Sequence, residues 1–186
     1  MRSKFFFSLA QAAVVALTLC GIAAAQHRGP VRLNGTIDDY NPASLGSYEM
    51  HGTWSLNLDR DFDRADFSLA MNMEHSDLAM LSGTTTRNAH THHITVVGGS
   101  VTLLGNGFRV TGAALATGNG AFPAPFGPNS TLQIDVTGAN QVEFSNIQLT
   151  FVKNADGSTS DAVSHFGSQP INGVVRKVKP SGHGDD

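Results

Sequence analysis

The sequence has very few of the residues that mark disulfide scaffolds, nucleic-acid binders or transmembrane barrels. Its single cysteine, Cys20, has no second cysteine to pair with, so stability must come from packing, backbone pairing or a bound ligand. Its formal net charge of −3 argues against a nucleic-acid partner, because phosphate binding needs a concentrated basic face. One tryptophan and two tyrosines are too few for the aromatic girdles of a transmembrane barrel.

Signatures of several enzyme classes are also missing. The sequence contains no Gly-x-Ser-x-Gly elbow, no phosphate-binding loop and no His-Glu-x-x-His pair. Asp59, Asp61 and Asp63 alternate as at the start of an EF-hand loop, but Arg64 and Ala70 occupy the positions that require glycine and glutamate. We therefore interpret this segment as a charged hairpin turn.

Residues 1–25 have the pattern of an export signal. Arg2 and Lys4 form its positive start, an apolar run follows, and the three alanines at 23–25 form a cleavage site. The apolar run is short for a membrane span. We therefore expect a protein that is exported to the periplasm, envelope or extracellular space, with lipid attachment at Cys20 as the alternative.

The remaining chain is long enough for one domain, predicted over residues 26–178, with a disordered tail over 179–186. Short runs of alternating apolar and polar residues, broken by Gly, Asn, Asp and Pro, predict an all-β protein. The segment 48–58 places Tyr48, Met50, Trp54, Leu56 and Leu58 on one face of a strand. Residues 65–73 repeat this pattern after a turn, which predicts a long hairpin.

Other predicted strands follow at hairpin spacing. Gly98-Gly99, Asn106-Gly107 and Gly138-Ala139-Asn140 are predicted as turns between them. A change of parity within 142–152 indicates a bulge or bend. About seven to ten sequential strands favour a single-domain, meander-rich antiparallel β-barrel or β-sandwich. The further strands are predicted at 31–37, 94–97, 101–104, 108–114, 131–137, 142–152 and 171–178.

The segment 118–130 is predicted to be a long Gly- and Pro-rich loop. Its two aromatic residues, Phe122 and Phe126, could line the opening of a ligand-binding site or contact a partner. Alternatively, their side chains pack on the core and hold the loop against it. Trp54, on the apolar face of its strand, is a further candidate for contact with a small apolar ligand.

The run His90-Thr91-His92-His93 is the feature that points most directly to chemistry, because imidazole is the commonest protein ligand for transition metals. Alternate strand residues share a face, so His90 and His92 can converge on one ion, whereas His93 points to the other face. His75, at the end of an earlier strand with matching parity, is predicted as the third ligand. His165 is a possible later ligand.

This His-x-His pair with a third histidine resembles the local ligand layout of the carbonic anhydrases. It also resembles part of the cupin metal motif, but Val96 and Val97 occupy the positions where a cupin has glutamate. The resemblance therefore covers only a few residues and assigns neither a family nor an activity. Three imidazoles with an open fourth position would themselves suit zinc, and other arrangements would suit copper.

The expected function is binding by an exported, soluble β-domain whose ligand is a small apolar molecule or a transition metal near the histidine cluster. One alternative is a metal-dependent hydrolase or lyase that uses a His-bound water. Another is an envelope or surface module that binds a protein partner. Structural or solvated histidines, without a metal, are the simplest interpretation of the cluster.

Overall fold

The computed structural model describes residues 30–43, 46–75, 89–119, 126–140, 143–152, 158 and 160–180. These residues form eight strands and a short helix, α1 (Asp161–Phe166), between the last two strands. The strands are β1 (Val31–Ala43), β2 (Gly46–Leu58), β3 (Arg64–His75), β4 (His90–Leu104), β5 (Gly107–Gly118), β6 (Phe126–Gly138), β7 (Phe144–Val152) and β8 (Ile171–Pro180).

The sheet closes on itself as an antiparallel barrel. Each strand pairs with the next one along the chain, and β1 also pairs with β8, where Leu33 lies opposite Val178. The predicted all-β, antiparallel fold is confirmed, and the choice between barrel and sandwich is resolved in favour of the barrel. Closure pairs the two strands that would otherwise be sheet edges.

Strict alternation of side chains builds the interior. In β3 every second residue from Ala65 to His75 is buried, and the residues between them are exposed or half-buried. The same inward positions in the other strands supply leucine, isoleucine, valine, methionine and phenylalanine side chains to one core. A barrel of eight strands is narrow enough for side chains to fill its interior.

The long hairpin expected around residues 59–64 is present, and the turn expected at Asn106-Gly107 lies one residue earlier, at residues 105–106. Leu58 pairs with Ala65 across the first turn, and Leu104 pairs with Gly107 across the second. The parity change in 142–152 also has a structural counterpart, because the register shifts where Gly138 meets Phe144. Phe144 is half-buried, and the fully buried series resumes at Ile147 with the opposite parity.

Two sequence-based assignments need correction. Gly98-Gly99 is not a turn between two strands but an irregularity within β4, where the pairing with β5 shifts between Val96 and Ser100. Gly98 has φ 62°, a conformation that glycine adopts without strain, so the chain bends there and then continues in the same sheet. The predicted loop 118–130 is also too long, since β6 already begins at Phe126.

At the other end of the chain, β8 continues to Pro180, which is two residues into the predicted tail. Residues 1–29, with the predicted export signal, and 181–186 lie outside the described residues. None of the described helices is both long and apolar enough to span a membrane.

Candidate metal centre

Two histidines at the start of β4 point into one end of the barrel. His90 pairs with Met73 of β3, and His92 pairs with Met71. Their exposed fractions are 4% and 1%, whereas His93, between the inward positions, is exposed. The parity argument made from the sequence is therefore confirmed for these three neighbours.

A third histidine comes from α1. The helix begins after Ser160, whose hydroxyl accepts a hydrogen bond from the backbone N–H of Val163 (3.2 Å). It ends at Phe166, and the C-cap residue Gly167 has a positive φ of 84°, which suits a residue without a Cβ. Phe166 is fully buried and stacks on Phe151 of β7 at a ring distance of 4.8 Å, which anchors the helix to the barrel.

This anchoring brings His165 against the two β4 histidines. Its Nε2 lies 2.9 Å from Nε2 of His92 and 3.3 Å from Nε2 of His90. One potential ligand nitrogen from each ring falls within 4.8 Å of the other two. Nitrogens bound tetrahedrally to one ion at 2.0–2.1 Å are about 3.3 Å apart, so small ring rotations would let all three bind the same ion.

Burial keeps the His92 and His165 rings uncharged. The pKa of His92 is lowered to about 3, mainly by burial and in smaller part by the nearby His165 and His90 rings. Burial likewise lowers the pKa of His165 to about 4, with a smaller contribution from His90. At neutral pH both rings therefore carry a lone pair on one nitrogen, which is the state that binds a metal. Without a metal, a shared proton can link neighbouring rings in an N–H···N hydrogen bond.

Packing fixes the orientation of the His92 ring. A Cβ on Gly118, which pairs with His92, would lie 2.7 Å from its Nδ1 and 2.8 Å from the carbonyl oxygen of Thr91. On another side the ring of Phe166 contacts His92 edge to face at 4.9 Å. The glycine therefore provides the space that the imidazole occupies, and Phe166 couples the ring to α1.

His75, the third ligand expected from the sequence, is not among the three converging residues. It is buried at the same end of the barrel, opposite Tyr48, and its ring stacks on the tyrosine at 4.3 Å. Tyr48 in turn contacts His90 edge to face at 6.3 Å. His75 thus belongs to the aromatic wall beside the cluster, and a ligand role for it stays a prediction.

Of the three predicted apolar-ligand residues, Trp54 is the one whose side chain the structure describes. Trp54 is buried in the core and stacks on Phe67 at 6.5 Å, and its Nε1 has no hydrogen-bond partner within the described residues. Phe122 lies outside the described residues. Phe126 starts β6, and its contacts with a ligand stay a prediction.

The histidines on the outer surface have a different environment. His51 is half-exposed and lies 3.1 Å from a carboxylate oxygen of Asp38 and 3.4 Å from one of Glu49. It also lines a shallow depression of about 330 Å³, whose outward-facing lining includes Asn72 and His93. The contacts of His51 with the two carboxylates are screened by water and contribute little to stability.

The sequence did contain a signal for the element that carries His165. Ser160-Asp161 provides an N-cap followed by an acidic first turn, and Gly167 provides a stop six residues later. A helix this short gives almost no periodicity, so the all-β pattern around it concealed it.

Comparisons with known proteins give no match from which a function could be inferred. No family model, no curated protein and no solved structure matches the chain.

Proposed function

We propose that the protein binds one transition-metal ion through His90, His92 and His165 at the end of the barrel. The observation that carries this proposal is the convergence of three Nε2 atoms, at 2.9 and 3.3 Å, from two elements 73 to 75 residues apart. Three neutral imidazoles form a donor set typical of zinc and copper sites.

The surroundings support a binding role rather than turnover. His90 and His92 are almost completely buried, and Tyr48 and Phe166 pack on the two rings. Catalytic metal sites keep an open position for water or substrate, whereas closed sites hold the ion. We therefore favour a site that retains the ion. The alternative is a metal-dependent hydrolase or lyase, which would require solvent or substrate to reach the ion past the half-buried His165.

The location of this activity is a further part of the proposal. The signal pattern in residues 1–25 supports export, and a disulfide-free barrel closed by its own strand pairing would need no oxidising partner to fold. N-terminal sequencing of the mature protein from fractionated cells tests this part, and an intact Met1 in the cytoplasmic fraction would contradict it.

Metal titration of untagged, metal-free protein tests the proposed site. We expect about one equivalent of Zn²⁺ or copper per chain, measured by competition with a chromophoric chelator. His92→Gln and His165→Gln should each weaken binding by at least about tenfold, because each removes one of three ligands.

His93→Gln is the matched control, because it makes the same change one residue away on the outer face. Its affinity should equal that of the wild type. Binding of less than about a tenth of an equivalent by the wild type would overturn the proposal. Equal losses in the His92 and His93 variants would do the same.

A further inference from the structure

The triad lies beside a row of buried methionines. Three of the five methionines in the sequence point into this end of the barrel, two from β3 and one from β2. Met73 pairs directly with His90, and Met71 pairs directly with His92. Met50 pairs with Met73 and is therefore one strand further from the histidines.

The pairing brings the thioethers within reach of the imidazoles. Directly opposed residues on one face of an antiparallel pair have Cβ atoms about 4.5–5.5 Å apart. The methionine sulfur is two bonds beyond Cβ, and its unbranched side chain can adopt several rotamers. Met71 and Met73 are 2% and 0% exposed, so their sulfurs are confined to the same interior as the ring nitrogens.

The charge of the donor set also distinguishes between metals. No carboxylate belongs to the converging group among the residues that the structure describes. A divalent ion held by three neutral imidazoles would retain its full double charge in a buried, largely apolar setting, which is costly. A monovalent ion reduces that cost, and thioether sulfur is a soft ligand that favours copper(I).

We propose that the metal centre is a copper(I) site in which a β3 thioether, from Met71 or Met73, joins the imidazoles of His90, His92 and His165. This inference rests on the proposed function, because it requires the three histidines to bind a metal. It adds the identity and oxidation state of the ion and a fourth ligand residue that the histidine pattern does not reveal.

Competition titrations with Cu⁺ and Zn²⁺ test the proposal on untagged, full-length protein. Cu⁺ is presented anaerobically with a chromophoric Cu⁺ chelator, and Zn²⁺ with a zinc chelator. We expect one Cu⁺ per chain, bound at least about a hundredfold more tightly than Zn²⁺, since soft donors discriminate strongly between these ions.

The double variant Met71→Leu/Met73→Leu isolates the thioethers. Leucine nearly conserves methionine volume, so the core should tolerate it, which circular dichroism and thermal melting would verify. Loss of the soft ligand should weaken Cu⁺ binding by at least about tenfold and change Zn²⁺ affinity by less than about twofold. The single variants identify the ligand, and Met50→Leu, equally buried but further away, is the control and should change neither affinity.

X-ray absorption at the copper edge gives an independent measurement. The wild-type spectrum should require one sulfur scatterer in addition to nitrogen, and the double variant should require nitrogen alone.

The possible outcomes distinguish the copper(I) assignment from the proposed metal-binding function on which it rests. If the wild type binds Zn²⁺ at the histidines but binds Cu⁺ no more tightly, the copper assignment is overturned while the metal site stands. If Cu⁺ binds tightly but the double variant binds it equally well, the thioether ligand is overturned. If the wild type binds neither ion, the proposed function and this inference both fail.

Discussion

His92 and His93 are adjacent in the sequence, but the barrel gives them opposite environments. The His92 side chain is 1% exposed and is surrounded by two other histidines, Phe166 and the backbone of Gly118. His93 faces outward and borders a shallow depression that it shares with His51. The pleat of one strand is the whole cause of this difference, because successive residues of a strand point to opposite faces.

The comparison shows that the number of neighbouring histidines is a poor guide to a site. His92 gains its chemical partner from a helix 73 residues away, whereas its immediate neighbour His93 is not one of the three converging residues. The inner face should therefore respond strongly to metal, volume and pH, and the outer face weakly. Four experiments measure this contrast.

The largest expected effect is stabilisation by metal. At a free concentration about a thousandfold above the dissociation constant, a bound ion should stabilise the fold by about 4 kcal/mol, or raise Tm by roughly 10 °C. The wild type and His93→Gln should both show this rise by differential scanning calorimetry. His92→Gln should show little of it, and a strong chelator should reverse it. An equal rise in both variants would exclude His92 as a ligand of the ion.

The next effect concerns the space behind His92. Gly118→Ala would place a methyl group 2.7 Å from the ring, so we expect destabilisation of about 1–3 kcal/mol and weaker metal binding. Denaturant unfolding and metal titration measure these two quantities. Gly105→Ala is the control, because a Cβ there meets nothing within 4 Å. Unchanged stability and affinity in Gly118→Ala would show that the ring position is not constrained by packing.

Acid should also distinguish the two faces. The pKa of His92 is lowered to about 3 and that of His165 to about 4, whereas both titrate near 6.5 in the unfolded chain. Between these values the unfolded state binds more protons, so metal-free protein should lose stability as the pH falls from about 6.5 to about 4. Urea unfolding across this range should give a shallower pH dependence for His92→Gln than for His93→Gln. Equal slopes would contradict the inner burial.

The smallest effect is expected on the outer face. His51→Ala removes contacts with Asp38 and Glu49 that are exposed to water, so unfolding free energy should change by less than about 1 kcal/mol. Metal affinity should not change. A loss of metal binding in this variant would move the candidate centre to the outer surface and remove the contrast between the faces.

Most of the barrel was predictable because it is built from local alternation. The inward series of β3, the hairpin turn after Leu58 and the opposite parity of His92 and His93 each depend on a period of two residues. The parity change before Ile147 was predictable for the same reason. Closure between β1 and β8 was not, since pairing of distant strands leaves no local pattern.

The candidate site was only half predictable, and α1 accounts for the difference. His90 and His92 follow from the pattern of one strand. The sequence suggested His75 as their third partner because its parity matched, and it offered His165 as a possible later ligand. The structure brings His165 to them instead, through a helix of six residues between β7 and β8. The contribution of Met71 and Met73 was equally hidden, because the register of β3 against β4 is a pairing between separate segments that leaves no local pattern in the sequence.

The position of α1 in the chain determines when a metal centre could exist. The cluster needs β4 from the middle of the chain and α1 from just before the final strand, so it is incomplete until almost the whole domain has folded. A chain that crosses a membrane unfolded would carry separate histidines rather than a site. Metal loading would therefore take place in the compartment where the barrel closes, and the donor set would select its ion from the metals supplied there.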